Sequence, residues 1–415
     1  MSTTAELRIN RERLWQRLEA MSAFGATGAG GVNRQALTEE DRQGRECFLE
    51  WARAAHCSVR VDEVGNLFVR REGSKPDAPV VLSGSHLDTQ PSGGNYDGIY
   101  GVLAALEVIE TLNDAGLTTR HPLEVVVWTN EEGCRFDTAM MGSAVWSGRM
   151  ALADAMALRD REGTSVADAL TATGYQGSEP ARAQPVHAAF ELHIEQGPVL
   201  EQQNLAIGVV EGVQHMSRHR LVVQGVEAHA GPTPMRGRKD PVQALAGMLP
   251  RLYALADAHA PEARVTVGYI DTQPGSSNTV PGRLEFTVDL RHPDASRYAA
   301  MVAALGDIAK AVNDALGLHY TLNCFWEAPG VTFHPDCVAA VQAAVDGLGY
   351  SHRRMVSGAG HDACNVAAVA PTSMIFIPCK DGLSHNEAES ITRTQAGQGA
   401  DVLLHAIINS AGLSV

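Results

Sequence analysis

Four apolar runs in this chain stop at residue types that bind metal ions. "APVVLSGS" leads into His86, with Asp97 at the end of the glycine-rich stretch "GSHLDTQPSGGNYDG". "LEVVVWTN" leads into Glu131 and Glu132, "AAFELHIEQG" carries His193, and "TSMIFIP" is followed by His385. Short continuous apolar runs alternating with helical segments such as "GIYGVLAALEVIETLNDAG" (98–116) are the pattern of an α/β layer structure. In an open α/β sheet, ligands bind in the crevice beyond the carboxyl ends of the strands. The pattern therefore predicts that these four loops meet.

The style changes in the middle of the chain. From Arg218 the order reads strand ("RHRLVVQGV"), helix (Pro241 to Ala258), strand ("ARVTVGYI"), strand ("GRLEFTVDLR"), helix (Ala295 to Leu316), strand ("HYTLNCF"). This β-α-β-β-α-β order is ferredoxin-like. After about Val331 the α/β style returns, with a helix near 338–347 and a closing helix from Thr392. The expected fold is a split α/β catalytic domain with a mixed, largely parallel sheet (1–212 and 329–415) and an inserted ferredoxin-like α+β domain (213–328). The segment "GATGAGGVNR" (25–34) reads as a mobile loop on composition alone.

Bulk properties exclude several classes. A formal charge of −15, from 33 basic and 48 acidic residues, opposes binding to nucleic acid or anionic membranes. Seven scattered Cys without a C-x-x-C pair fit reduced thiols better than a disulfide framework. No apolar run approaches the roughly 20 residues that span a bilayer. The charged N-terminal segment lacks the apolar core of a signal peptide. The expected compartment is the cytoplasm.

A lone His at a strand end is usually hydrogen-bonded structure, but four independent strand ends with this chemistry are not explained that way. Three His and two carboxylates suit two divalent ions, one carboxylate bridging them and open positions left for water. Asp88, two residues beyond His86, is placed to hold the second imidazole nitrogen and fix its tautomer. On extended backbone the adjacent Glu131 and Glu132 point in different directions. One can therefore ligate while the other faces the attacking water as general base. Ligation by His and carboxylate without thiolate accommodates zinc, manganese, cobalt or nickel. Arg291, directly after the alternating run "LEFTVDL", either pairs with Asp289 or Asp294 or holds a substrate carboxylate as a bidentate cation. His229 in "EAHAG" is either structural or an oxyanion donor. A nucleophilic triad of His361, Asp362 and Cys364 finds no support, because there is no nucleophile elbow.

The motifs "GSHLDT", "GGNYDGIYGV", "TNEEGCRF", "ELHIEQGP", "AHAGPTPM", "SSNTVPG", "DLRHPD", "SGAGHDA" and "LSHNEAE" occur in this order between residues 84 and 389, within a resemblance that runs from about residue 10 to 410. In these the chain resembles the hydantoinase/carbamoylase branch of the metallopeptidase/aminoacylase (M20-type) clan. That branch includes N-carbamoyl-amino-acid amidohydrolases, β-ureidopropionases and allantoate amidohydrolases. The resemblance implies two divalent ions, zinc first among the candidates, on His86, Asp97 (bridging), Glu132, His193 and His385. It makes Glu131 the catalytic base. It implies that the insert is a lid and dimerisation domain, with His229 reaching the other subunit's site to polarise the scissile carbonyl. Asn278 and Arg291 would hold the carboxylate of a small ureido substrate, with Gln196 behind His193 and with Gly360 and His361 lining the wall. The implied activity is hydrolysis of an N-carbamoyl amino acid to amino acid, carbon dioxide and ammonia. Allantoate is the alternative substrate, and a dipeptide or N-acyl amino acid a more distant one. The family more often has Thr where Pro232 stands, and glycine beside the glutamine where His215 follows Gln214.

Overall fold

The computed structural model describes residues 6–414. In chain order, the first part supplies strands β1 (Ser58–Val61), β2 (Leu67–Arg71), β3 (Val80–His86), β4 (Leu123–Trp128), β5 (Val186–Ile194) and β6 (Ile207–Val213). The middle supplies β7 (His215–Gln224), β8 (Ala228–His229), β9 (Arg264–Thr266), β10 (Ile270–Gln273), β11 (Thr279–Val280), β12 (Arg283–His292) and β13 (His319–Ala328). The last part adds β14 (Val331–Thr332), β15 (His352–Ser357) and β16 (Thr372–Ile377). The chain divides into two compact units: one runs to Gly212 and resumes at Thr332, and the other is Val213–Val331.

In the larger unit the sheet order is β1-β2-β4-β3-β5-β16-β6-β14, with β15 beside β6. The pairs β4–β3, β3–β5 and β5–β16 are parallel, whereas β1–β2, β2–β4 and β16–β6 are antiparallel. The four ligand-bearing runs are thus the four adjacent parallel strands at the centre of the sheet. Every residue of β3, β4 and β16 is buried. This follows from their largely apolar sequence, because a strand covered on both faces has no polar side to present; buried Glu124 of β4 is paired with Arg60 at 2.9 Å. The helix Ile99–Asp114, buried along most of its length, packs on β3 and follows Asp97 directly. The closing helix Arg393–Ala411 starts at Thr392 with a reciprocal capping box to Gln395.

The inserted unit has the order β10-β12-β7-β13, all antiparallel, with β9 also on β12. This is the arrangement expected of β-α-β-β-α-β, with one difference. The expected strand "ARVTVGYI" is two pieces, β9 and β10, interrupted at Val267–Tyr269, where Gly268 weakens the extended run. The helices Pro241–Ala258 and Ala295–Leu316 bury Leu245, Met248, Leu252, Met301, Leu305 and Ala309 against the even positions of β12 from Leu284 to Leu290. The odd positions, including Asp289 and Arg291, are only half-buried. A separate two-stranded pairing joins β8 to β11, setting Thr279 opposite His229.

The glycine-rich segment 25–34 is not the loose loop its composition suggests. Val32 and Gly93 exchange two backbone hydrogen bonds of 3.0 Å. Arg34 is fully buried and donates to the carbonyls of Leu87 (2.9 Å), Met21 (3.0 Å) and Phe24 (2.8 Å). The segment braces the loop that follows β3.

Gly84 sits opposite Val126 in the β3–β4 ladder, and a Cβ there would lie 2.0 Å from the Val126 carbonyl oxygen. Gly84→Ala should destabilise the larger unit by about 1–3 kcal/mol or more, the scale of overpacking a tight core. By contrast, Gly306 lies inside a helix, and a Cβ there would meet no atom within 4 Å. Gly306→Ala should stabilise the inserted unit by about 0.5–1 kcal/mol. Thermal unfolding of the two variants should move in opposite directions.

Candidate metal centre and active site

His86, the last residue of β3, turns its Nε2 toward Asp97 Oδ1 (3.7 Å) and Glu131 Oε2 (3.5 Å). His193, near the end of β5, brings Nε2 to 3.1 Å from the same Asp97 Oδ1. On the other side of Asp97, His385 Nε2 lies 3.4 Å from Oδ2 and 3.3 Å from Glu132 Oε2. Two ligand groups result, His86–Asp97–His193 and Asp97–Glu132–His385, each with donor atoms within 4.8 Å of one another. Asp97 belongs to both and faces each with a different oxygen. Glu131 belongs to neither.

A third grouping, Glu191–His193–His361, is geometrically close. There, however, Glu191 Oε1 accepts from Ser85 Oγ (2.7 Å) and Oε2 from the Ala363 N–H (2.9 Å). Both of its oxygens are occupied structurally, so it is the weaker candidate.

The donor set fits divalent cations. Among the described residues, buried His193 Nε2 makes no well-directed hydrogen bond although a carboxylate oxygen is 3.1 Å away, as two ligands facing one ion would be placed. The ring orientations are fixed from behind: His193 Nδ1 meets the Ile194 carbonyl at 2.9 Å, and His86 Nδ1 meets the Asp88 carbonyl at 2.8 Å. A ring nitrogen donating to a carbonyl leaves Nε2 unprotonated for a metal.

The second contact puts Asp88 on the other nitrogen of His86, where the sequence expected it, and specifies the atom. Its backbone oxygen, not its carboxylate, holds His86; the carboxylate lies 4.0 Å from Nδ1. The carboxylate instead accepts from the backbone N–H of Glu131 (3.3 Å) and Glu132 (3.2 Å), and so shapes the turn that carries both glutamates. That turn is not extended: Asn130 and Gly133 have φ of 55° and 64°. Glu131 and Glu132 consequently both reach the site, on different sides of Asp97.

Burial lowers the His86 imidazole to about 4, which keeps it neutral and able to ligate. Burial would raise the Asp97 carboxyl, but His193, His86 and His385 outweigh it and hold the group below its ordinary value. Burial also works against a proton on His193, yet Asp97 and Glu191 push it up to about 9. A proton there occupies the place a divalent ion would take. Burial, followed by Asp362, Glu132, Asp88 and Asp97, holds Glu131 well above the usual carboxylate range. A base starved of solvent and crowded by anions takes up a proton readily.

The remaining expected residues divide between the units. Gln196, with φ of 56°, donates from Nε2 to Asp97 Oδ2 (2.8 Å), and its buried Oε1 has no hydrogen-bond partner among the described residues. It sits on the shared carboxylate rather than simply behind His193. His361 is buried against the His193 ring (4.5 Å between centroids) with Nε2 3.1 Å from Ser357 Oγ, and Gly360 beside it is half-buried. On the inserted unit, the carbonyl of Asn278 accepts from the Ala230 N–H (2.8 Å), which ties it to exposed His229. Arg291 makes a forked pair with Asp289 at 2.8 and 3.2 Å, one of the two readings its sequence allowed.

Sequence reasoning did not single out Ser384, Glu389 or Gln90. Ser384 Oγ donates to Asp97 Oδ2 (2.6 Å), and Gln90 Nε2 donates to Glu132 Oε2 (2.7 Å). Ser384 and Glu389 flank His385 within "LSHNEAE", but polar residues in such a loop are indistinguishable from turn formers until the fold is known.

With this geometry in view, comparison with known proteins places the chain. Residues 82–409 match the model of peptidase family M20/M25/M40. The chain belongs to that family. It is 46% identical to an N-carbamoyl-L-amino-acid amidohydrolase of Rhizobium meliloti, covering 97% of both chains. It is 34% identical to an allantoate amidohydrolase of Escherichia coli, covering 95% of this chain and 96% of that one. Among solved structures, an amidase of the hydantoinase/carbamoylase family from Burkholderia multivorans superposes with a TM-score of 0.94 at 47% identity, covering 98% of each chain. The family and the ligand groups together indicate a divalent metal cofactor.

The two glutamates should separate cleanly in mutants. Glu131→Gln should retain bound metal and lower turnover roughly a hundredfold or more, the scale of a lost general base. Glu132→Gln should lose metal. Elemental analysis of the purified variants, read beside their turnover, checks the assignment, and the reverse pattern would exchange the two roles.

Proposed function

We propose that this protein is a metal-dependent amidohydrolase that cleaves the ureido C–N bond of an N-carbamoyl amino acid, releasing the amino acid, carbon dioxide and ammonia. The observation that carries this reading is the pair of ligand groups sharing Asp97, with Glu131 beside them but outside both. Full-length similarity to a protein named for that reaction supports the substrate class.

Two divalent ions are proposed, on His86–Asp97–His193 and on Asp97–Glu132–His385, with zinc first and manganese, cobalt or nickel compatible. Bound there, they would supply Lewis acidity that activates a water molecule and polarises a carbonyl. Glu131 Oε2 accepts the proton of the attacking water and delivers it to the departing nitrogen. The unpartnered Gln196 Oε1 offers an acceptor for a ureido N–H. Arg291, its plane held by Asp289, binds the substrate carboxylate together with Asn278, and His229 donates to the developing oxyanion.

The same reading makes the protein a homodimer through the inserted unit, each subunit's His229 serving the other's site. β13 lies at one edge of the four-strand order, and Phe325 on it is 48% exposed. Pairing such edges across a two-fold axis removes both. Seven unpaired cysteines suit a reducing, cytoplasmic setting. Among the described residues no helix is long and apolar enough to cross a membrane. A second reading, allantoate hydrolysis, is favoured by the Escherichia coli relative.

The test is turnover of metal-loaded enzyme on N-carbamoyl-L-amino acids, N-carbamoyl-β-alanine, allantoate and N-acetyl amino acids. The expected result is highest efficiency on an N-carbamoyl-L-amino acid, abolished by chelation and restored by divalent ions. Arg291→Lys should lower kcat/KM on that substrate by about tenfold to several hundredfold, because charge-assisted bonds are worth about 1.5–3 kcal/mol each and an ammonium cannot make the fork. On the corresponding carboxamide the loss should nearly vanish. Equal losses on acid and amide would remove Arg291 from carboxylate recognition.

A further inference from the structure

Glu389 is a buried carboxylate, only 4% exposed, four residues beyond His385. Among the described residues its hydrogen-bond partners include no Lys or Arg. Its Oε1 accepts from two consecutive backbone N–H groups, those of Tyr96 (2.8 Å) and Asp97 (3.1 Å). Its Oε2 lies 3.2 Å from Ser384 Oγ, which also reaches Asp97 Oδ2 at 2.6 Å. Glu389 thus holds the peptide N–H of the shared ligand directly and touches, through Oε2, the Ser384 hydroxyl whose proton goes to the Asp97 carboxylate. The fold makes room for it. A Cβ on Gly94 would lie 2.1 Å from the Glu389 carboxyl carbon and 2.4 Å from its Cβ. Any side chain at position 94 would evict Glu389.

Burying a carboxylate is costly unless its oxygens are satisfied, and here they are spent on the residue that both ligand groups share. We propose that Glu389 is a positioning residue for Asp97, fixing the direction in which each Asp97 oxygen points. This deepens, and rests on, the di-metal reading above. The role is geometric and asks only for acceptors at Oε1 and a polar partner for Ser384. An amide side chain supplies both: its carbonyl oxygen accepts the two N–H groups, and its NH₂ can donate to Ser384 Oγ. Gln should therefore substitute where Ala cannot. Orientation of a ligand by its supporting hydrogen bonds is commonly worth 10–100-fold in metal affinity.

The test measures zinc and manganese binding by equilibrium dialysis with elemental analysis, alongside kcat and KM, in wild type, Glu389→Ala, Glu389→Gln and Gly94→Ala. Circular dichroism and thermal unfolding of the chelated proteins establish that each variant is folded. Glu389→Ala should weaken metal binding by about 10–100-fold and lower kcat more than KM rises. Glu389→Gln should recover most of both, to within about fivefold of wild type. Gly94→Ala, which leaves Glu389 and Asp97 chemically intact, should reproduce the alanine defect. Should Glu389→Ala fail to fold, the contrast between Gly94→Ala and Glu389→Gln carries the same decision. Wild-type affinity in Glu389→Ala or Gly94→Ala would overturn the proposal, as would a Gln variant as defective as Ala. A wild-type protein that binds no divalent ion would instead refute the underlying metal reading.

Discussion

Asp97 is the side chain on which the catalytic unit converges. It is a buried carboxylate with one oxygen turned to His86 and His193 and the other to His385. Around it are gathered Asp88, Glu131, Glu132, Glu191, Asp362 and Glu389. The ion-pair partners of Asp97, Glu131 and Glu132 at this site are histidines, not Lys or Arg. Carboxylates brought together in a low dielectric repel one another and lose hydration, so such a cluster needs protons or cations. The upward displacement of Glu131, Glu132, Glu191 and Asp362, and of Glu389 to about 8, reports that demand. Burial is the leading cause in every case. Divalent ions held in the two ligand groups, as proposed, would answer it and leave Glu131 as the proton carrier.

The rest of the unit reads as support for that arrangement. Four parallel strands deliver their carboxyl ends to one edge, which is possible only because their sequences tolerate burial on both faces. Asp88 organises the glutamate turn with its carboxylate and the His86 ring with its carbonyl. The 25–34 segment, through buried Arg34, braces residues 87–89 from behind. Glu389 and Ser384 hold Asp97 itself. Rigid support of this kind preserves ligand directions that a solvent-exposed loop would lose.

Much of this was legible in the sequence, and the reasons for success and failure are physical. Apolar runs ending in ligand residues disclose a parallel sheet and its crevice because strand burial and strand polarity are encoded locally. The β-α-β-β-α-β order is likewise a matter of local periodicity. What stayed hidden depends on atoms rather than residue types. The position of Asp88 was evident, but whether its carbonyl or its carboxylate meets His86 depends on backbone dihedrals. Glu389 is one acidic residue in a polar loop until the fold lays it on the Tyr96–Asp97 peptides. Glycines in "GATGAGGVNR" suggest mobility, yet Gly31 is buried there in close approach to neighbouring backbone, and Arg34 carries the anchoring contacts. The split between β9 and β10 turns on a single glycine, too small a signal to read in advance.

The most direct measurement of the central claim is a crystal structure of the manganese- or zinc-loaded protein with anomalous scattering recorded at the metal edge. Two peaks per chain are expected, one on His86 and His193 and one on Glu132 and His385, with Asp97 contributing one oxygen to each and Glu131 contacting neither. A single peak, or Glu131 coordinating an ion while Asp97 serves only one, would contradict it.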